Sequence, residues 1–168
     1  HELEKYDFDA YVVGSDRVWR PIYSPDITAF FFKFIKNNDS VKKFSYAASF
    51  GTDNCNEYTA EQIDEISKLA KKFDAMSVRE DSGVKLCKEN FAADAKHVID
   101  PTLLLEKTDY EQLVVQANLP DSDGTLMSYV LDKNPSKQVV IQKVAEELGL
   151  KPFTVMQEDN GVYPQVEK

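Results

Sequence analysis

Asp16, Arg79 and Asp100 each stand just past a short apolar run, where charged groups are well placed for chemistry. Four segments share this form: Val13-Gly-Ser-Asp-Arg-Val-Trp-Arg-Pro21, Phe44-Ser-Tyr-Ala-Ala-Ser-Phe-Gly51, Ala75-Met-Ser-Val-Arg-Glu-Asp-Ser-Gly83 and His97-Val-Ile-Asp-Pro-Thr-Leu-Leu-Leu105. An arginine can donate two parallel hydrogen bonds to a carboxylate or phosphate. An aspartate can serve as acid, base or hydrogen-bond acceptor. A buried strand that ends in such groups puts them at the carboxyl edge of an α/β sheet, where ligands usually bind. Four in succession predict one site at one edge of one sheet.

The elements that must position these groups alternate along the chain. Strands are predicted over 9–14, 43–49, 75–79, 96–100, 125–131 and 151–156, most of them short apolar runs rich in Val, Phe and Tyr, as buried parallel strands are. Thr59-Ala-Glu-Gln62 reads as a capping box. Ile63, Ile66, Leu69, Ala70 and Phe73 then share one helical face. A second helix opens near Asp81-Ser82 and carries Val84 and Cys87 inward. Thr108-Asp-Tyr-Glu111 predicts another capping box, leading into Leu113, Val114 and Ala117. A last helix starts near Pro135-Ser136, holds Val140, Val144 and Leu148, and stops at Gly149. The run Phe30 to Ile35 is expected to be irregular or an edge segment. This strand–helix alternation predicts an α/β fold with a doubly wound, mostly parallel, Rossmann-like sheet.

Composition narrows the classes of function. With 29 acidic and 20 basic residues the net charge is -9, which argues against a general nucleic-acid surface. The apolar runs are far below the roughly 18 residues needed to cross a bilayer, so no stable membrane insertion is expected. Cys55 and Cys87 lack metal-ligand or redox spacing and read as ordinary thiols. With two histidines, one of them terminal, a histidine metal site or a Ser-His-Asp triad has almost no material. The polar stretch Leu119-Pro-Asp-Ser-Asp-Gly124 marks a boundary between residues 1–119, read as one domain, and 125–168, read as the opening of a second. Both ends read as cut, so the chain is expected to be a fragment.

The four segments, in this order and spacing, resemble the polysaccharide pyruvyl transferase family. The matching residues are Gly14-Ser-Asp16 with Val18-Trp19, Ser45-Tyr-Ala-Ala-Ser-Phe-Gly51, Ser77-Val-Arg-Glu80 with Ser82, and Asp100-Pro-Thr-Leu-Leu-Leu105. The resemblance implies two Rossmann-type domains facing each other across a cleft, as in B-type glycosyltransferases, of which this chain would hold the first half. It implies transfer of the enolpyruvyl carbon of phosphoenolpyruvate to sugar hydroxyls, commonly as a cyclic ketal on a bacterial surface polysaccharide or its lipid-linked precursor. No cofactor beyond this donor substrate is implied. Such a protein would be cytoplasmic and would meet membrane-linked glycans transiently at the inner face of the membrane. Two departures stand out. Position 17 is Arg where the family usually has Gln, and the family's Ser-Phe-His-Gly segment, with its candidate catalytic histidine, does not occur.

Phosphoenolpyruvate presents a carboxylate and a phosphate, so its site needs fixed cations or backbone N–H donors. Arg79 is the first candidate ligand, since it precedes a helix N-terminus that itself favours negative charge. The competing reading is a structural pair with Glu80 or Asp100. Asp16 reads as an acid, a base or a partner for a sugar hydroxyl, or else as a turn residue. Gly14 lets the backbone turn or approach a ligand, with Ser15 beside it. Arg17 and Arg20 add positive potential or are solvated. Trp19 reads as a stacking platform for a sugar or as a core anchor. Tyr46 could donate to a phosphate or be buried with a satisfied hydroxyl. Ser49 and Gly51 could offer backbone N–H groups to an anion. Asp100 reads as an acidic group facing the cleft, or as a turn residue before Pro101. A nucleotide-sugar glycosyltransferase and a non-catalytic Rossmann-like scaffold are the alternatives.

Overall fold

The computed structural model describes residues 6, 8–35, 40–117, 123–130 and 134–154. Its contacts divide the chain into a unit over His1–Glu111 and another over Gln112–Lys168.

The first unit is built on parallel strand pairs. Strand β1 (Ala10–Val13) pairs with β2 (Lys42–Ser45) in the register Ala10↔Lys42 to Val13↔Ser45. Strand β3 (Ser77–Val78) pairs with β4 (Lys96–His97). Two isolated parallel bridges, Phe44↔Ala75 and Ala48↔Val78, tie β2 to the β3 segment. All four strands therefore run the same way, and their carboxyl ends lie on one edge. The strands are shorter than predicted, and β2 shows why. Ala47 takes a left-handed conformation at φ 51, which breaks the ladder after Ser45. Serine hydroxyls replace the missing ladder bonds. Ser45 Oγ accepts from Ser77 N at 2.9 Å and donates to Ser77 O at 3.0 Å. Ser77 Oγ accepts from Ala47 N at 3.1 Å and donates to Ser45 O at 2.9 Å.

Two helices cover one face. Helix α1 (Ala60–Ala70) starts with the expected capping box: Thr59 Oγ1 accepts from Gln62 N at 3.2 Å, and Gln62 Oε1 accepts from Thr59 N at 2.9 Å. It buries Ile66 and Ala70. Helix α2 (Asp81–Phe91) buries Gly83, Leu86, Cys87 and Phe91. Ser67 of α1 donates to Phe91 O of α2 at 3.0 Å. Both cysteines are free thiols; burial pushes Cys87 up to about 12 and Cys55 to about 11, so neither is a ready thiolate. The opposite face of the strands carries an open groove lined by Val12, Phe44, Tyr46, Met76, Lys96 and Val98.

The core is largely aromatic. Trp19 stacks on Phe31 at 4.9 Å between ring centroids and meets Phe50 edge-on at 5.4 Å. Phe91 brings α2 into the same cluster against Phe31 at 5.5 Å and Phe50 at 5.8 Å. The phenylalanine run is irregular as expected, with a 3-10 turn over Ile27–Phe31. It is not an edge, however: Phe31, Phe32 and Phe34 are all buried, because the chain folds back to seal the helix-covered face.

Helix α3 (Lys107–Ala117) spans the division between the units. The capping box expected at Thr108 does not form. The helix already begins at Lys107, and Asp109 Oδ2 accepts from Glu106 N at 2.9 Å instead. Leu113 and Val114, expected to face inward, are exposed. The second unit pairs β5 (Leu126–Ser128) in parallel with β6 (Pro152–Thr154) through α4 (Pro135–Leu148). Asn134 caps α4 by accepting from Ser136 N at 3.0 Å, and Gly149 ends it as predicted. Val140 and Leu148 are exposed and Ala145 is buried, against the predicted inner face. Periodicity says which residues share a face; only packing says which part of the face is covered. Among the described residues no helix is long and apolar enough to cross a membrane.

Candidate functional site

The segments after β1 to β4 join at one edge through a continuous set of hydrogen bonds. Asp16 O accepts from Ser49 N at 3.1 Å, and Ser49 O accepts from Trp19 N at 3.1 Å, locking the loop after β1 to the segment after β2. Ser49 Oγ donates to Glu80 Oε1 at 2.5 Å. Arg79 N donates to Ala48 O at 3.1 Å, and Arg79 Nη1 donates to Asp100 Oδ2 at 2.9 Å. The structure thus brings together Asp16, Ser49, Arg79 and Asp100 from four separate segments.

Arg79 lies between two carboxylates. Asp100 holds Nη1, and Glu80 Oε1 stands 3.6 Å from Nε. The hydrogen bond that Arg79 donates to Asp100 raises the guanidinium's pKa against the opposing effect of burial. The Arg79 bond in turn lowers the Asp100 carboxyl, helped by the backbone N–H and hydroxyl of Thr102. Asp100 fills the turn role read from the sequence and is also the partner named in the structural reading of Arg79. Its Oδ1 caps the 3-10 turn Pro101–Leu104, accepting from Thr102 N at 3.0 Å, while Oδ2 holds Arg79. His97 Nε2 lies 3.0 Å from Arg79 O and steadies the same corner.

The loop after β1 is held by two features. Trp19 is fully buried, and its carbonyl accepts from Tyr58 OH. Gly14 lies against Tyr46: a Cβ on it would stand 1.9 Å from Tyr46 O, at a φ of +141 that side chains rarely adopt. Ser15 follows, half-buried. Asp16 is exposed, with Oδ1 accepting from Arg17 N at 2.7 Å.

Arg17, Arg20 and Tyr23 form a second cluster beside Gly51. A Cβ on Gly51 would meet Arg17 Cδ at 3.0 Å and Arg20 Cδ at 3.2 Å, so the arginine stems pack tightly across this position, whose φ of +68 also favours glycine. Arg17 Nη1 and Arg20 Nη1 both donate to Tyr23 OH, at 3.2 and 3.1 Å. Arg20 also grips Glu57, with Nε at 3.1 and 3.0 Å from the two carboxylate oxygens and Nη2 at 2.7 Å. That pairing raises Arg20 and lowers Glu57.

Two expectations are corrected, at Trp19 and at the backbone of Ser49 and Gly51. Trp19 is a core anchor, since a fully buried ring stacked on Phe31 offers no face to a sugar. Tyr46 lines the groove on the open strand face, and its N donates to Val13 O at 2.9 Å. Ser49 N and Gly51 N are not free for an anion: the first bonds Asp16 O and the second bonds Ser49 Oγ at 3.0 Å.

Sequence reasoning passed over Glu80, Tyr23 and Glu57 as site residues. Glu80 was signalled by its place directly after Arg79; its Oε2 is buried with no partner among the described residues. Glu57 lies 37 residues from Arg20, and no local pattern announces the pair.

The sequence model of the polysaccharide pyruvyl transferase family matches residues 1–154. The chain belongs to this family. The match takes in every strand-end residue described above and extends through β6. Searches among curated proteins and among solved structures found no match to the chain. A pyruvyl transferase acting on polysaccharide is the activity that this family implies.

Proposed function

We propose that this chain serves in the transfer of the enolpyruvyl carbon of phosphoenolpyruvate to two hydroxyls of a sugar in a bacterial surface polysaccharide or its lipid-linked precursor. One hydroxyl oxygen adds to C2 of the enol while the methylene takes a proton. The second replaces the phosphate, so that two C–O bonds form, the C2–O bond to phosphate breaks, and a ketal remains. Phosphoenolpyruvate is a substrate here, and no cofactor enters. In this reading residues 1–119 are a Rossmann-like domain and 125–168 open a second, acting in the cytoplasm at the inner face of the membrane.

The observation that supports it is the meeting of Asp16, Ser49, Arg79 and Asp100 at one strand edge within a chain matched by the family over residues 1–154. Arg79 is assigned to the donor's anionic groups through the N–H bonds left after Asp100 and Glu80 take their share. Asp16, exposed at the loop tip, is assigned to a sugar hydroxyl as acid, base or acceptor. Ser15 and Gly51 line the same edge.

One observation favours a second reading. Arg79 between two carboxylates is already neutralised, as a structural hub would be. The test is Arg79→Ala in the full-length protein, with phosphoenolpyruvate turnover and thermal unfolding measured on the same sample. The transferase reading expects turnover to fall by about 100-fold or more, as when a charge-stabilising donor is removed, and the upward shift of the unfolding midpoint by phosphoenolpyruvate to disappear. Unchanged turnover would remove Arg79 from the donor site. A midpoint that rises with a nucleotide sugar and not with phosphoenolpyruvate would point to a glycosyltransferase.

A further inference from the structure

The Arg17–Tyr23–Arg20 cluster turns hydrogen-bond donors and one uncompensated positive charge toward solvent. Two guanidinium groups converge on one phenolic oxygen, and like charges held this close repel each other unless an anion lies between them. Glu57 compensates Arg20 alone. The side chain of Arg17 has no carboxylate partner among the described residues, so one positive charge is left over. The tyrosine hydroxyl carries the same message. A phenol has two lone pairs and one proton. Both lone pairs accept from arginine, so Tyr23 can only donate, and no described residue accepts its proton. Tyr23 is 58% exposed and Arg17 is also exposed, so both face solvent. Both guanidinium groups also sit over the Tyr23 ring, at 6.0 and 4.9 Å from its centroid.

We infer that Arg17, Tyr23 and Arg20, laid across Gly51, form a subsite for a phosphoryl group. The free N–H bonds of Arg17 and the proton of Tyr23 supply donors on one side, and a tetrahedral oxyanion has enough terminal oxygens to take them together. Glu57 sets the character of the subsite by leaving a single net charge, enough to favour a phosphoryl group without trapping it. Gly51 contributes by leaving room for both arginine stems, which a Cβ there would crowd at 3.0 to 3.2 Å. The Arg at position 17 makes this a property of this chain. The inference deepens the transferase reading and rests on it only for the source of the phosphoryl group: the donor's phosphate or a phosphate-linked sugar acceptor.

The experiment is calorimetric titration of the full chain and three variants, Arg17→Gln, Tyr23→Phe and Lys68→Gln, the last removing a positive charge on the exposed side of α1. The probes are inorganic pyrophosphate, phosphoenolpyruvate, uridine diphosphate glucose, and pyruvate as a carboxylate without phosphate; circular dichroism verifies that each variant is folded. Pyrophosphate is expected to bind the parent chain, to weaken about tenfold in Arg17→Gln, as loss of one charge-assisted hydrogen bond implies, to weaken several-fold in Tyr23→Phe, and to be unchanged in Lys68→Gln. Phosphoenolpyruvate weakening in parallel assigns the subsite to the donor; the diphosphate sugar weakening alone assigns it to the acceptor. Pyrophosphate that fails to bind the parent, or binds both site variants as well as the parent, overturns the subsite. If pyrophosphate follows the expected pattern and phosphoenolpyruvate does not bind at all, the subsite stands and the donor assignment falls.

Discussion

Arg79 and Asp100 show how one residue pair serves geometry and charge together. Asp100 is held below the ordinary carboxylate range chiefly by its bond from Arg79 and then by Thr102. A carboxyl whose folded pKa is depressed adds stability that is complete above its unfolded value, about 3.9 for aspartate, and is lost as pH falls through the folded value. Asp100→Asn is therefore expected to flatten the acid limb of the stability curve below about pH 4, relative to the parent. Thermal midpoints measured between about pH 6 and 2.5 decide the matter. Parallel curves for parent and variant would mean that the pair contributes nothing to folding. The same residue scale explains the corrections at Ser49 and Gly51. Backbone N–H groups at a strand end look available in a sequence, but here the neighbouring segment has already claimed them.

At the scale of elements, the parallel strands of the first unit depend on side chains as much as on ladder bonds. The left-handed Ala47 costs β2 its continuation, and the Ser45–Ser77 exchange replaces what is lost. Ser77→Ala would leave Ala47 N and Ser45 O without their partners in a buried setting. The expected loss is about 1–3 kcal/mol for each orphaned group at most, read as a lower urea midpoint with an unchanged slope. A change below about 0.5 kcal/mol would show that the strands are held by backbone bridges alone. Because Arg79 follows β3 directly, the same variant should also weaken whatever Arg79 binds.

On the scale of the molecule, the two units differ in how much they bury. Every buried apolar residue among those described lies in the first unit except Ala145. In the second, Val139, Val140 and Leu148 of α4 and Met127 of β5 are all exposed. In the first unit Phe91 joins α2 to Phe31, Phe50 and Tyr58. Phe91→Ala is expected to cost about 3–5 kcal/mol through lost transfer energy and the cavity left behind. Denaturant unfolding measures it. A cost near 1 kcal/mol would mean that the aromatic cluster collapses to fill the space. The strand-end loop depends on this core as well, since Trp19 is the anchor that carries Arg17 and Arg20 to the edge.

Much of this was legible in the chain itself. The α1 capping box, the α2 start at Asp81, the Gly149 stop and the strand ends that collect charged residues are local patterns, and local hydrogen bonding enforces them without outside help. The family, too, was readable from four motifs in order, and the match over residues 1–154 bears that out. What only the tertiary structure decided are matters of contact between distant segments. Trp19 went to the core because Phe31, Phe50 and Phe73 enclose it. Glu57 found Arg20, and Tyr23 found both arginines, because Gly51 lets their stems cross the strand end. A sequence records which groups a chain carries, whereas the distances that set charge pairing and burial exist only once the chain has closed on itself.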